Sequence, residues 1–225
     1  MIKERIEIVY ERIEKACIKA GRKKEEVRLL GVTKTVPVEV IKEAYQSGLR
    51  LFGENKVQEF LQKYEALKEL DIEWHFIGTL QTNKVKYLKD KVKLIHSVDR
   101  KSLVDEISKR MESMDILIEV NVGDEASKSG VKEEDLKDLT EYVLSKPNIH
   151  LKGLMCIPPF FEDREKVRPF FRKLRTLKED LEKTFNITLK ELSMGMSHDF
   201  DTAIEEGATI VRVGTFIFGE RAYQR

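Results

Sequence analysis

Cysteine is scarce in this sequence: two residues, Cys17 and Cys156, stand far apart in unrelated contexts. That excludes a disulfide framework and any zinc-ligand spacing, and both read as small buried hydrophobes. Long apolar runs are absent too, and no stretch approaches the length of a membrane span. The opening residues, Met1-Ile2-Lys3-Glu4-Arg5, are charged at once and lack the apolar segment of a secretory signal. A soluble protein in a reducing, cytoplasmic setting is the expectation. An excess of charge of either sign is also missing, since 41 Lys and Arg face 40 Asp and Glu for a net charge of +1. Neither nucleic acid nor a membrane surface is therefore expected as a partner. With no low-complexity or linker-like stretch, residues 1–225 read as one domain.

What is present is patterned apolar content, 41% of the chain, enough for a substantial core. Ile2, Ile6, Val9, Ile13 and Cys17 recur at helical spacing among Glu, Arg and Lys. They predict an opening helix that Gly21 ends. Short apolar runs then alternate with longer charged segments of helical period. The runs predict strands over 28–33, 49–53, 74–78, 94–98, 116–122, 151–157, 191–194 and 210–214. The intervening segments, starting near Pro37, Asn55, Asn83, Lys101, Lys132, Asp163 and Ser197, predict helices. Strands separated by helices imply parallel βαβ units, hence an α/β fold. Eight of them match a single (β/α)8 TIM-type barrel with an extra N-terminal helix, although an open doubly wound sheet accommodates most of them. In both architectures chemistry gathers at the C-terminal ends of the strands.

The strand ends carry the candidate residues. Alternation puts Leu30, Val32 and Lys34 on one face. If that face points inward, Lys34 stands at the top of the core, where burial favours a nucleophilic amine. The other reading is a strand-end lysine that reaches back to solvent. Asn55, after the second strand, either caps the next helix or faces the barrel mouth. His75, inside an apolar run, reads as a core histidine or as an acid or base. A polar loop over 123–130 is either a lid or plain surface. Ser193-Met194-Gly195-Met196-Ser197 and Val211-Arg212-Val213-Gly214-Thr215 follow or close the last two strands, where barrel enzymes often build a phosphate site. Gly195 and Gly214 permit close backbone approach, Ser197 opens a helix, and Thr215 offers a hydroxyl and an amide. Arg212 alternates onto the face of Ile210 and Gly214, so an inward guanidinium needs an acidic or ligand acceptor. Arginine is a recognised partner of the pyridine nitrogen of pyridoxal 5'-phosphate (PLP), and leaves that nitrogen unprotonated.

These residues carry a resemblance. Val32-Thr33-Lys34-Thr35, Phe52-Gly53-Glu54-Asn55, Trp74-His75-Phe76-Ile77-Gly78 with Gln81 and Asn83-Lys84, Ser127-Lys128-Ser129-Gly130, Gly153-Leu154-Met155, the 193–197 turn with Asp199, and 211–215 with Phe218-Gly219 resemble the pyridoxal phosphate homeostasis protein family. The resemblance spans nearly the whole chain in order. It implies the barrel of the alanine racemase N-terminal domain, with PLP held as a Schiff base on Lys34. It implies further that Ser197 and the backbone around Gly214 and Thr215 hold the phosphate. Arg212 would face the pyridine nitrogen, and Asn55, His75 and Met194 would line the cofactor, with no metal. Alanine racemase takes a second base, a tyrosine, from a C-terminal β-domain of its partner subunit, and no such domain is seen before Arg225. The implied function is PLP binding in intracellular PLP (vitamin B6) homeostasis without robust catalysis. The implied partners are PLP and recipient PLP-dependent apoenzymes, and the chain is expected as a monomer. A weak PLP-dependent amino-acid racemase is the alternative, and a Schiff-base aldolase acting on a phosphorylated sugar is a third reading.

Overall fold

The computed structural model describes residues 1–125 and 129–220. The apolar runs become parallel strands: β1 (Arg28–Val32), β2 (Leu51–Glu54), β3 (Glu73–Phe76), β4 (Leu94–Val98), β5 (Met114–Asn121), β7 (Ile149–Met155), β8 (Glu191–Ser193) and β9 (Ile210–Val213). A two-residue strand, β6 (Val131–Lys132), pairs with the end of β5. The hydrogen-bonded order β4-β3-β2-β1-β9-β8-β7-β5 closes through β4 against β5, which makes an eight-stranded parallel barrel. The open doubly wound sheet is thereby excluded.

The charged segments of helical period pack around it as α1 (Ile2–Lys19), α2 (Val38–Gln46), α3 (Val57–Ala66), α4 (Lys101–Arg110), α5 (Leu136–Leu144), α6 (Arg164–Phe185), α7 (Phe200–Glu205) and α8 (Thr215–Phe218). Two expectations need correction here. The stretch near Asn83 forms 3-10 turns over Thr82–Leu88 rather than an α-helix, and a short strand, β6, stands where the helix near Lys132 was expected to begin, that helix starting at Leu136. Residues 126–128 of the 123–130 loop lie outside the described residues. The far end of that loop is tied down, since Ser129 Oγ donates to Glu119 Oε2 at 2.7 Å.

Period-2 alternation divides the apolar side chains into two cores. Leu30, Val32, Leu51, Ile77, Leu94, Leu117, Met155 and Ile210 fill the barrel interior. The complementary residues, Leu29, Phe52, Phe76, Ile95 and Val211 among them, pack outward under the helices. Each buried aliphatic side chain contributes about 1.5–3 kcal/mol relative to exposure. The interior is not apolar throughout, because His75, His96, Ser193 and Arg212 are all buried.

The first helix fastens the last elements. It buries Ile2, Ile6, Val9, Ile13 and Cys17, as its periodicity predicts. From its outer edge Arg12 donates to Asp201 of α7 and lies 4.2 Å from the centre of the Phe200 ring, while Arg5 donates to the carbonyl of Ile217 in α8 at 3.3 Å.

One glycine sets the geometry of the barrel mouth. A Cβ on Gly78, just past β3, would stand 2.1 Å from the backbone oxygen of Asn55. The turn after β2 therefore passes directly over a position that tolerates no side chain. Gly78→Ala is expected to lower stability by about 1–3 kcal/mol through this overlap, as measured by urea unfolding. An unchanged midpoint would show that the two turns separate freely.

Candidate functional site

Lys34 follows β1 in a tight turn, half-buried, with Thr35 beside it at φ 62°. A left-handed conformation is costly for a β-branched residue and persists only where the surroundings impose it. The imposing groups are at hand. Glu59 Oε1 accepts the Thr35 N–H at 2.6 Å. Lys63 Nζ, buried, lies 2.7 Å from Glu59 Oε1 and 2.7 Å from Glu54 Oε2, and donates also to the carbonyl oxygen of Thr33 at 2.5 Å. Thr33 Oγ1 donates to the same Glu54 oxygen at 2.5 Å. One ammonium thus ties β1, β2 and α3 together immediately beneath the Lys34 turn.

Arg212 enters from β9. Its Nη1 donates to Ser193 Oγ at 2.6 Å and its Nη2 to the carbonyl of Cys156 at 2.9 Å, while the side chain also borders the cavity at the barrel mouth. Burial pulls the guanidinium below its usual range, and the same burial pushes the Cys156 thiol up to about 12, so Cys156 is no nucleophile.

The turns after β8 and β9 meet at Ser197. Its hydroxyl oxygen accepts the N–H groups of Gly214 and Phe216, each at 3.3 Å. Gly195, at φ 99°, packs its α-carbon so tightly against α7 that a Cβ would stand 2.7 Å from Ala203. Met196 N–H donates to Asp199 Oδ1 at 2.9 Å, which shapes the same turn. Opposite, the amide oxygen of Asn55 is buried with no hydrogen-bond partner among the described residues. An orphaned buried acceptor at a cavity wall is a mark of a missing ligand group.

These side chains share a cavity of about 470 Å³ at the C-terminal ends of the strands. Lys34, Asn55, Ser197, Arg212, Gly214 and Thr215 all line it. His75 and Met194 do not, and strand alternation gives the reason. The inward residue of β3 at the level of the cavity is Ile77, so His75 stands one layer deeper, bonded to Glu73 and His96. On β8 and its turn the inward positions are Ser193 and Gly195, so Met194 packs into the outer core. Sequence reasoning passed over the Glu54–Glu59–Lys63 brace, although Glu59 and Lys63 show the i,i+4 spacing of an ion pair. It also passed over Ser193 and His96.

The pocket meets the demands of a phosphate-bearing aldehyde of PLP size. It offers one amine, one donor-only guanidinium, converging backbone N–H groups with a hydroxyl, and an unpaired amide oxygen. A larger cleft of about 690 Å³ against α1 is rimmed by Glu7, Glu11, Glu14 and Glu25, a charge that disfavours an anionic ligand.

Comparison with known proteins points the same way. The family model described as "Alanine racemase, N-terminal domain" matches residues 11–222. A protein of Aquifex aeolicus named pyridoxal phosphate homeostasis protein is 62% identical over 224 residues, with 98% of each chain covered. One of the same name from Pseudomonas aeruginosa is 44% identical over 226 residues, covering 99% of this chain and 96% of that one. The solved structure of PipY from Synechococcus elongatus with PLP bound superposes with a TM-score of 0.84 at 32% identity, covering 97% of this chain and 100% of that one.

The brace is open to a direct test. Lys63→Met strands the Glu54 carboxylate in a buried site, and is expected to cost about 3–5 kcal/mol in chemical denaturation. A loss under about 1 kcal/mol, the level of a surface pair, would mean that the brace carries little of the structure.

Proposed function

Because the chain belongs to the pyridoxal phosphate homeostasis protein family, built on the alanine racemase N-terminal domain, we propose that it binds pyridoxal 5'-phosphate and serves intracellular PLP (vitamin B6) homeostasis. The observation that carries this reading is the convergence of Lys34, Arg212, Ser197, Gly214 and Thr215 on one cavity. When bound, PLP supplies an aldehyde that condenses with amines and a ring that withdraws electrons.

The chain's own groups divide the work. Lys34, on a turn held in place by Glu59 and Lys63, would supply the amine that holds PLP as a Schiff base. Ser197, Thr215 and the N–H groups of Gly214 and Phe216 hold the phosphate. Asn55 offers its free amide to the polar edge of the ring. Arg212, which lines the cavity, would face the pyridine nitrogen. A guanidinium donates hydrogen bonds without giving up a proton, so that nitrogen stays unprotonated and the ring remains a weak electron sink. Retention is thus favoured over turnover, which suits a protein that holds PLP and releases it to PLP-dependent apoenzymes.

Access fits the same role. Ile157, Phe160 and Met196 form an exposed apolar rim beside the cavity. Two free, buried cysteines suit the reducing cytoplasm, and no helix among the described residues is long and apolar enough to cross a membrane.

Borohydride reduction of the PLP-loaded protein, followed by peptide mass mapping, tests the anchor. The PLP mass is expected on Lys34, and its appearance on another lysine or on none would overturn the assignment. A second variant tests the ring partner. Arg212→Ala is expected to weaken PLP retention at least about tenfold with the far-UV circular dichroism preserved, since a hydrogen bond to a charged group contributes about 1.5–3 kcal/mol. Unchanged affinity would remove Arg212 from the ring.

A further inference from the structure

The barrel interior holds a second polar system that the binding site does not use. Below the cavity, four buried or half-buried side chains from three strands form an unbroken file. Ser193 Oγ, which accepts from Arg212 at 2.6 Å, lies 2.9 Å from His96 Nδ1. His96 Nε2 lies 2.9 Å from His75 Nδ1, and His75 Nε2 lies 2.7 Å from Glu73 Oε2. Glu73 stands at the opposite mouth of the barrel, its side chain 35% exposed, where Arg28 Nη2 also donates to it at 2.9 Å. The two histidines are 1% and 0% exposed. Barrel interiors of this kind are normally filled with branched apolar side chains, so a file of polar ones calls for a reason.

Proton counting gives the file a direction. At the top, the guanidinium has only donors, so Ser193 Oγ must accept from it. Among the described residues the Ser193 hydroxyl has one other partner, His96 Nδ1, and its proton can go only there. His96 Nδ1 is then an acceptor, and its proton sits on Nε2 and points to His75 Nδ1. That leaves the His75 proton on Nε2, pointing at Glu73. The bottom independently demands the same order, because an ionised carboxylate only accepts. Reversal orphans the Ser193 proton in a site with no solvent and sets the bare Nε2 of His75 against a carboxylate oxygen. Protonating His75 to satisfy both its neighbours still orphans Ser193 and buries a cation.

We propose that His96 and His75 are positioning residues for Arg212, forming with Ser193 a one-way hydrogen-bond chain that runs from the cofactor ring through the barrel to the Glu73 carboxylate at the far mouth. The chain fixes the guanidinium in one orientation and one polarity. Burial lowers the proton affinity of both histidines, most strongly for His96, in keeping with two neutral rings. Glu73 is held down to about 2, first by its bond from His75 and further by Arg28, and so remains an acceptor throughout. The role assigned to Arg212 rests on the PLP reading above; the direction of the chain does not.

The test separates the two. Nitrogen-15 NMR of the histidine rings in PLP-free protein is expected to show His75 and His96 both neutral with the proton on Nε2 at neutral pH. An Nδ1–H tautomer or an imidazolium at either residue would overturn the chain, whatever the protein binds. PLP titration then reads its consequence at the ring. Ser193→Ala and His96→Leu are expected to weaken PLP binding at least about tenfold, the scale of a lost hydrogen bond to a charged group. Ser193→Thr, which keeps the hydroxyl, and His96→Asn, whose amide oxygen can stand in for Nδ1, are expected to stay within about threefold of the parent. Equal affinity in folded Ser193→Ala or His96→Leu would overturn the positioning role. Parent protein that fails to bind PLP, with the tautomers as expected, would count against the functional reading and leave the chain standing.

Discussion

A guanidinium inside a barrel is the constraint on which the rest of this structure turns. Arg212 is 3% exposed and cannot shed its proton, so every donor that does not face the cavity must meet an acceptor. The carbonyl of Cys156 meets one and the hydroxyl of Ser193 another. Meeting the second creates a new demand, because the serine must pass its own proton on, and the demand is handed down through His96 and His75 until it reaches a carboxylate in contact with water. The polar half of the barrel core follows from that single buried cation. The apolar half, from Leu30 round to Leu117, is free to pack as the fold prefers.

The anchor side is organised by a different charge. Lys63 sits at the meeting of β1, β2 and α3 and has carboxylates on two sides and a carbonyl on the third. Its effect on Lys34 is indirect. Glu59, held by Lys63, takes the amide of Thr35 and so keeps that residue in a conformation it would otherwise leave. A flexible four-carbon side chain thereby springs from a rigid base, and the cavity receives its amine from a defined direction.

Much of this was legible in the sequence, and the limits are instructive. Seven crossover segments and eight apolar runs pointed to parallel βαβ units and matched a closed barrel, while closure itself rests on the pairing of β4 with β5, and alternation along Leu30-Val32-Lys34 and Ile210-Arg212-Gly214 brought the anchor and the guanidinium to the same mouth. The same rule turns Met194 outward between Ser193 and Gly195, and sets His75 on the inward face one layer below Ile77. His96 escaped notice because it hides in an apolar strand, Leu94–Val98, and its importance lies wholly in partners from β3 and β8 that no local pattern reveals. The 3-10 turns over Thr82–Leu88 were misread because their apolar spacing passes for a short helix.

The grip of α1 on the end of the chain has a consequence for how the protein is made. Arg5 reaches a carbonyl 212 residues later and Arg12 a carboxylate 189 residues later, while β1 pairs with β9 along its length. Segments made early therefore wait for segments made much later. Gly214 and Phe216, whose amides close on Ser197, belong to that late segment. Competence to hold a ligand arises only once the 197–216 segment has been made, so a chain stopped before it offers a lysine and half a barrel but no seat for a phosphate. Such long sequence separation slows folding, and it also makes ligand capture a check on the completeness of the chain.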